Sequence, residues 1–266
     1  MNIQPLSSTP VPEIVACLLE AFEGYFVPMP TKVAYWERRW RAARVDMAHS
    51  WGVFEADRLI AFMMIGVDRR DGQLTAFNTG TGVVPAARGK GWVDHMYAAA
   101  IPAFKRSGIE RCELEVIQAN HRAIRVYERI GFRIKRSLYC YKGSLPTGPD
   151  APALQQVEMA SVQLETHYGW DHLPAALHLQ ASQLETWQVG PQEKPLGYYV
   201  SDPLNGQLFH LEAQANQLPA VLSALGSHHE VIKFNNIWEE RVDLNQHFQA
   251  AGLENPINQY EMEMEI

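Results

Sequence analysis

The 266-residue sequence predicts a mixed α/β fold, an α+β mixed sheet, made of two similar halves. Three observations lead there. Apolar residues switch repeatedly between a spacing of three to four, which marks helices, and strict alternation, which marks strands. The stretch Lys142–Ala153 packs three prolines and two glycines and reads as a linker. The charge balance flips at that linker: 20 Lys and Arg face 14 Asp and Glu up to Gly143, and 3 face 16 from Ser144 on, so +6 and −13 make the net −7. The expected domains are residues 1–145 and 146–266.

Pro12–Phe22 carries Ile14, Val15, Leu18, Leu19 and Phe22 on one helical face. Thr31–Ala43 repeats the pattern, with Thr31 placed to cap it. Ser50–Glu55 and Leu59–Val67 read as strands, and Asp71-Gly72 is a hairpin signal leading into a third strand, Leu74–Val84. After a Gly/Arg/Lys-rich turn, a helix runs from about Trp92 to Lys105, with a kink expected at Pro102, and Gly108 closes it. Arg111–Ile117 is a strand, Asn120 caps a helix that ends at Gly131, and Phe132–Tyr141 returns as a strand.

Composition removes several classes. The longest apolar runs, such as Leu59–Val67, fall short of the ~20 residues that span a bilayer, and the start Met1–Pro5 lacks a basic-then-apolar layout. A soluble, cytoplasmic protein with no membrane partner is expected. Cys17, Cys112 and Cys140 form neither a disulfide framework nor a zinc signature, and His228-His229 lacks a ligand pair at metal spacing, so no metal is expected. The basic half favours an anionic partner, yet too few aromatics interleave its charges to support nucleic-acid binding.

The turn Val83-Val-Pro-Ala-Ala-Arg-Gly-Lys-Gly-Trp92 has the makings of an anion site at a helix N-terminus. Its small residues let the backbone N–H groups of Gly89, Lys90, Gly91, Trp92 and Val93 converge on phosphate oxygens. A Walker A loop is excluded because Gly89-Lys90 is followed by Gly91, and a dinucleotide fingerprint from Gly80 is excluded by Pro85. The alternative is a glycine-rich connector without a ligand.

A second constellation follows in Asn120, Ala123, Tyr127, Gly131 and Phe132. Together with Val83, Pro85, Arg88, Gly89 and Gly91, it resembles the GNAT superfamily of acyl-CoA-dependent N-acetyltransferases over roughly residues 3–143. The resemblance implies a GNAT fold and acetyl-CoA as cosubstrate. It also implies transfer of the acetyl group to a primary amine of a small molecule or peptide by direct attack. A non-catalytic acyl-CoA sensor on the same fold is the rival.

The resemblance further implies pantetheine lying near Gly82 and Val84, pyrophosphate held from Arg88 to Val93, and an oxyanion stabilised at Val83 N–H. Tyr127 would reprotonate the leaving thiolate, and Asn120 would contact the ligand. Ordinary core packing for Tyr127, and capping for Asn120, stay open. The pattern departs from the family at Val93, and no carboxylate lies on Thr75–Val84. Glu23, Glu113, Glu115 or a water chain remain as routes for the amine proton, each glutamate reading more readily as a surface residue than as a base.

Residues 196–266 repeat these landmarks: Asn205-Gly-Gln-Leu208 echoes Asp71–Leu74, Glu230–Asn235 echoes Glu115–Asn120, and Phe248 with Gly252 echoes Tyr127 with Gly131. Nineteen residues are missing where the phosphate loop and its helix should stand, and Phe248 replaces the phenol. A degenerate second GNAT-like copy without a cofactor site is expected. It would close one side of the amine pocket, where an acidic wall attracts a cationic amine.

Overall fold

The computed structural model describes residues 1–214 and 216–266. In chain order the elements are β1 (Asn2–Pro5), α1 (Val11–Ala21), α2 (Val33–Ala42), β2 (Trp51–Glu55), β3 (Arg58–Arg70), β4 (Gln73–Val83), α3 (Trp92–Arg106), β5 (Arg111–Ile117), α4 (His121–Ile130) and β6 (Arg133–Gly143). The second half continues with β7 (Leu154–Val157), α5 (Pro174–His178), β8 (Glu185–Val189), β9 (Gly197–Asp202), β10 (Gln207–Ala213), α6 (Leu218–His228), β11 (Ile232–Trp238), α7 (Val242–Ala250) and β12 (Gln259–Glu265).

Two compact units result, and no single point in the chain divides them. The first holds Met1–Val116, Asn120–Lys135 and Glu261–Ile266; the second holds Ile117–Ala119 and Arg136–Tyr260. In the first, β1 to β5 lie side by side in order, antiparallel except for the parallel pair β4–β5, and β12 lies beside β5. In the second, β7 to β11 repeat that order, the parallel pair is β10–β11, and β6 lies beside β11. Each unit therefore takes its sixth strand from the other half of the sequence, where a cut near residue 145 is expected from composition.

In the first unit, Leu59 to Ile65 of β3 are all buried. Side chains alternate between faces along a strand, so an unbroken buried run means that both faces are covered; α1 and α3 both pack on β3. One helix detail differs from the sequence reading: Lys32, not Thr31, occupies the N-cap of α2 and gives no side-chain bond. Helix α3 continues through Pro102 to Arg106.

The last strand is held in the first unit by buried charge. Arg70 donates to Glu113 of β5 at 2.5 Å and to Glu261 of β12 at 3.1 Å. Arg111 and Lys135 lie 3.1 and 3.2 Å from Glu113, and Lys135 lies 3.4 Å from Glu261. Both carboxylates are fully buried. Glu113 is thus no surface residue, and three cations occupy it.

In the second unit, His210 of β10 donates from Nε2 to the His172 carbonyl at 2.7 Å, and its ring lies 4.2 Å from that of Tyr168. Burial, with the neighbouring His172, His167 and Arg241, pushes its pKa down to about 3, the carbonyl bond only partly opposing this. The fold holds this histidine neutral. Its contribution to stability is complete above pH 6.5 and is lost as pH falls from 6.5 toward 3, at up to about 1.4 kcal/mol per pH unit. His167 and His229 are shifted in the same direction by burial. Urea midpoints measured from pH 7 down to pH 4 should fall steeply, and less steeply in His210→Leu.

Candidate active site

The site grows from a strand that loses its partner. Parallel pairing of β4 with β5 covers only Thr75–Asn78 against Arg111–Leu114, and the β3–β4 register shifts between Asn78 and Gly80. The extra residue there, Thr79, increases the twist, and β4 runs on to Val83 with one edge open. Val84 N–H donates to the Ile60 carbonyl of β3 at 3.0 Å. Successive N–H groups on an extended strand point to opposite edges, so Val83 N–H faces the gap that β5 has left. Gly82 lets β4 sit close, since a Cβ there would stand 2.6 Å from Phe62 and 2.8 Å from Ala21.

Tyr127 of α4 reaches this gap. Its hydroxyl meets the side chains of Thr81 and Asn78, which partly offset the burial that pushes the phenol up to about 12. Rings brace it: Tyr97 and Phe132 lie 6.5 and 5.8 Å away by centroid. Asn78 is the hub, since its Nδ2 donates to Thr81 Oγ1 at 2.7 Å and to Tyr97 Oη at 2.8 Å, while its Oδ1 accepts from Gly80 N–H at 3.0 Å. Asn120 caps α4 by accepting the Ala123 N–H at 3.2 Å and also bonds the Tyr25 hydroxyl. Burial raises the Tyr25 phenol more than that bond lowers it.

Beyond β4, Pro85–Ala87 form one 3-10 turn, and Gly89 and Gly91 adopt φ of +79° and +74° before α3. Among the described residues, no hydrogen bond engages the N–H groups of Gly89, Lys90, Gly91, Trp92 or Val93. These five donors surround the positive end of the α3 dipole. Space beside Gly89 is open to 4 Å, so glycine is needed there for its left-handed backbone, not for clearance.

Two expected ligand residues are otherwise engaged. Arg88 spends its guanidinium on the carbonyls of Val83 at 3.2 Å and Ala21 at 3.0 Å, and its N–H on Pro85 at 3.3 Å. It fastens the loop to the C-terminal end of α1 instead of facing a phosphate. Val84 is buried, with its N–H on Ile60 and its carbonyl accepting from Ala87 at 2.9 Å, so it has no donor to offer. Val83, Gly89, Lys90, Gly91, Trp92, Val93, Asn120 and Tyr127 all lie on the β4–α3–α4 side of the first unit. Tyr25, Asn78, Thr81 and Tyr97 join them unforeseen; only the polar Asn78 and Thr81 in a buried strand hinted at a role.

An acyl-CoA fits these residues on a specific observation. The side-chain hydroxyl of Thr79, at the bulge, and the indole N–H of Trp92, at the start of α3, are buried without a hydrogen-bond partner among the described residues. Together with the five unbonded amides they leave donors waiting along the route from the gap to the helix N-terminus. Among the described residues no group of three or more acidic, histidine or cysteine side chains could hold a metal ion.

The second unit departs from the first at each of these points. Connection β10–α6 is only Gln214–Gln217, and Pro219 in the first turn of α6 removes a donor. The helix expected to be missing is present, and the phosphate loop is what has gone. Pairing of β10 with β11 stops at Leu208 and Phe234, but the gap beyond is filled. Tyr168 accepts the Leu211 N–H at 3.2 Å, lies 3.0 Å from its carbonyl, and stacks 6.0 Å from the Phe234 ring. Phe248 is fully buried, 5.3 Å from the ring of Tyr141. The expected echo of Asn120 fails in register, since Asn235 lies inside β11 and Arg241 stands at the N-cap of α7.

The site is thus a sheet whose parallel central pair opens beyond a bulge, with the bulged strand leading into an amide-lined helix N-terminus. The model of the acetyltransferase (GNAT) family matches residues 15–132, and this part of the chain belongs to that family. Over its full length the fold resembles a putative acetyltransferase from Pyrococcus horikoshii, with TM-score 0.74 and 12% identity over 100% of this chain and 89% of that one. It also resembles a GCN5-related N-acetyltransferase from Sphaerobacter thermophilus, with TM-score 0.70 and 13% identity over 99% and 95%. A tandem GNAT protein from the clavulanic acid biosynthesis pathway gives TM-score 0.69 and 13% identity over 99% and 98%. The chain is two GNAT-like copies in tandem. No curated protein matches it, and among the described residues no helix is long and apolar enough to cross a membrane.

Proposed function

We propose that the protein is an N-acetyltransferase that transfers the acetyl group of acetyl-CoA directly to a primary amine of a small molecule or peptide. The observation that carries this reading is the convergence of Val83 N–H and the Tyr127 hydroxyl on one gap, next to unbonded amides at a helix N-terminus. Acetyl-CoA supplies an activated thioester carbonyl. The amides of Gly89 to Val93 would hold its pyrophosphate, and Trp92 and Thr79 would gain partners. Val83 N–H would donate to the carbonyl oxygen as charge develops there.

Tyr127 would donate to the departing sulfur. Burial pushes its phenol up to about 12, so the hydroxyl keeps the proton it would donate. No carboxylate is assigned as base. Glu113 is occupied by cations, Glu23 is exposed, and the amine proton would leave through water. The acidic second half favours a cationic acceptor approaching through bulk solvent.

Thiol release from acetyl-CoA, measured against a panel of primary amines with mass detection of the acetylated product, tests the proposal. CoA binding without thiol release for any amine would leave the sensor reading in place.

Two further results are expected. Gly89→Val with Gly91→Val forces branched residues into left-handed backbone at ~1–2 kcal/mol each, so the calorimetric CoA affinity should fall at least tenfold while far-UV circular dichroism is unchanged. Calorimetry on the intact chain should give one CoA site, because Tyr168 fills the second gap and Pro219 and the short connection remove its phosphate donors. Two sites per chain would contradict this assignment.

A further inference from the structure

At the opposite end of α3, roughly 22 Å from Trp92 at 1.5 Å per residue, three side chains stand in the order carboxylate, imidazole, hydroxyl. Asp46 Oδ2 is 2.7 Å from His49 Nδ1, and His49 Nε2 is 2.9 Å from Ser107 Oγ. Burial raises the Asp46 pKa, but the bonds from His49 and Ala48 outweigh it and the carboxyl is lowered on balance. An ionised carboxylate only accepts, so Nδ1 carries the hydrogen and the Nε2 lone pair faces the serine hydroxyl. That is the tautomer a general base needs.

The geometry is held from several sides. Asp46 Oδ1 accepts the Ala48 N–H at 2.8 Å, and the Asp46 carbonyl accepts from both the Ser50 N–H at 2.9 Å and the Ser50 hydroxyl at 2.8 Å. The His49 ring lies 5.9 Å from that of Phe104. Ser107 itself is exposed.

We propose that Ser107 is a reactive serine, a second nucleophilic site that takes acyl or phosphonyl groups from activated esters. Ser107 Oγ would form a bond to the acyl carbon as its proton passes to His49 Nε2. The bond from that carbon to the leaving oxygen breaks, and the leaving group departs with the electron pair as a phenolate; with a fluorophosphonate the new bond is from Oγ to phosphorus, the P–F bond breaks and fluoride leaves with the electron pair. His49 then returns the proton to phenolate or water. The reaction stops at the acyl-serine. The N–H groups of Ser107, Gly108 and Ile109 are bonded to the carbonyls of Ala103, Lys105 and Phe104 at 3.0–3.1 Å, so these amides stabilise an oxyanion in neither step; acylation is carried by the activated leaving group, whereas the acyl-serine is an ordinary alkyl ester without one and persists.

The test treats the full chain, without acetyl-CoA, with p-nitrophenyl acetate and with a fluorophosphonate, and maps the modified peptide by mass spectrometry. One acetyl or phosphonyl group should appear on Ser107. The rate should fall ~10²-fold or more in His49→Gln, and also in Asp46→Asn, whose amide can donate to Nδ1 and so reverse the tautomer. Ser107→Cys, alkylated by iodoacetamide, should show the same dependence on His49; far-UV circular dichroism checks the fold of each variant. An unmodified Ser107, or a rate unchanged in His49→Gln, would reduce the row to a hydrogen-bonded staple. Because no CoA is present, this result and that of the amine assay are independent.

Discussion

Tyr127→Phe is expected to lower kcat for amine acetylation by 10²–10⁴-fold with a much smaller change in the KM for acetyl-CoA. The hydroxyl acts on charge that develops only as the thiolate departs, so its loss is felt in the transition state and not in binding. The bracing rings of Tyr97 and Phe132 are kept in the variant, which separates this loss from a packing defect. With the phenol pushed up to about 12, no alkaline fall in rate should come from Tyr127 below pH 10. A kcat loss under tenfold would point to water as the proton donor. The neighbouring Asn78 supplies a positional control: Asn78→Ala should reduce kcat as well, by releasing Thr81 and Tyr97, while Tyr127 itself remains.

Arg70→Met should be the most destabilising single substitution in the first unit, costing about 3–5 kcal/mol, because it leaves two fully buried carboxylates short of their shared cation. Lys135, 27% exposed, cannot replace it by itself. The expected signature is a lower urea midpoint for the first unit, together with faster hydrogen exchange at the end of β12. Glu263→Gln removes only a more exposed carboxylate, 3.3 Å from Lys135, and should cost under about 1 kcal/mol. Replacing Arg70, Glu113 and Glu261 together by apolar residues of similar volume should recover most of the loss. If Arg70→Met were no worse than Glu263→Gln, the cluster would not be what holds β12 in place.

The local grammar of the chain determined much of this protein by itself. Alternation and helical spacing located nine of the ten elements of the first half, lacking only the edge strand β1, whose four residues Asn2–Pro5 are too few for a period to be read. Asn120 and Gly131 marked the ends of α4 because capping is a local bond. The turn from Arg88 to Val93 was legible because left-handed backbone calls for glycine. The missing phosphate loop of the second copy was legible as a shortfall in length, although the helix behind it survives.

Tertiary structure decided the rest, and for one reason: the contacts join residues far apart in sequence, where no periodicity applies. Strands β6 and β12 have the same kind of pattern, and nothing local says which unit each completes. Arg70 lies 43 residues from Glu113 and 191 from Glu261, so Glu113, which reads as a surface residue in sequence, is in fact part of a buried ion cluster. Arg88 matches a motif by type, yet the carbonyl of Ala21, 67 residues away, claims its guanidinium. The Tyr25, Asn78 and Tyr97 neighbours of Tyr127 and the alignment of Ser107 with His49, 58 residues apart, likewise exist only once the helices are laid on the sheet. Burial and charge pairing depend on three-dimensional proximity, and that is set by packing, not by the order of residues.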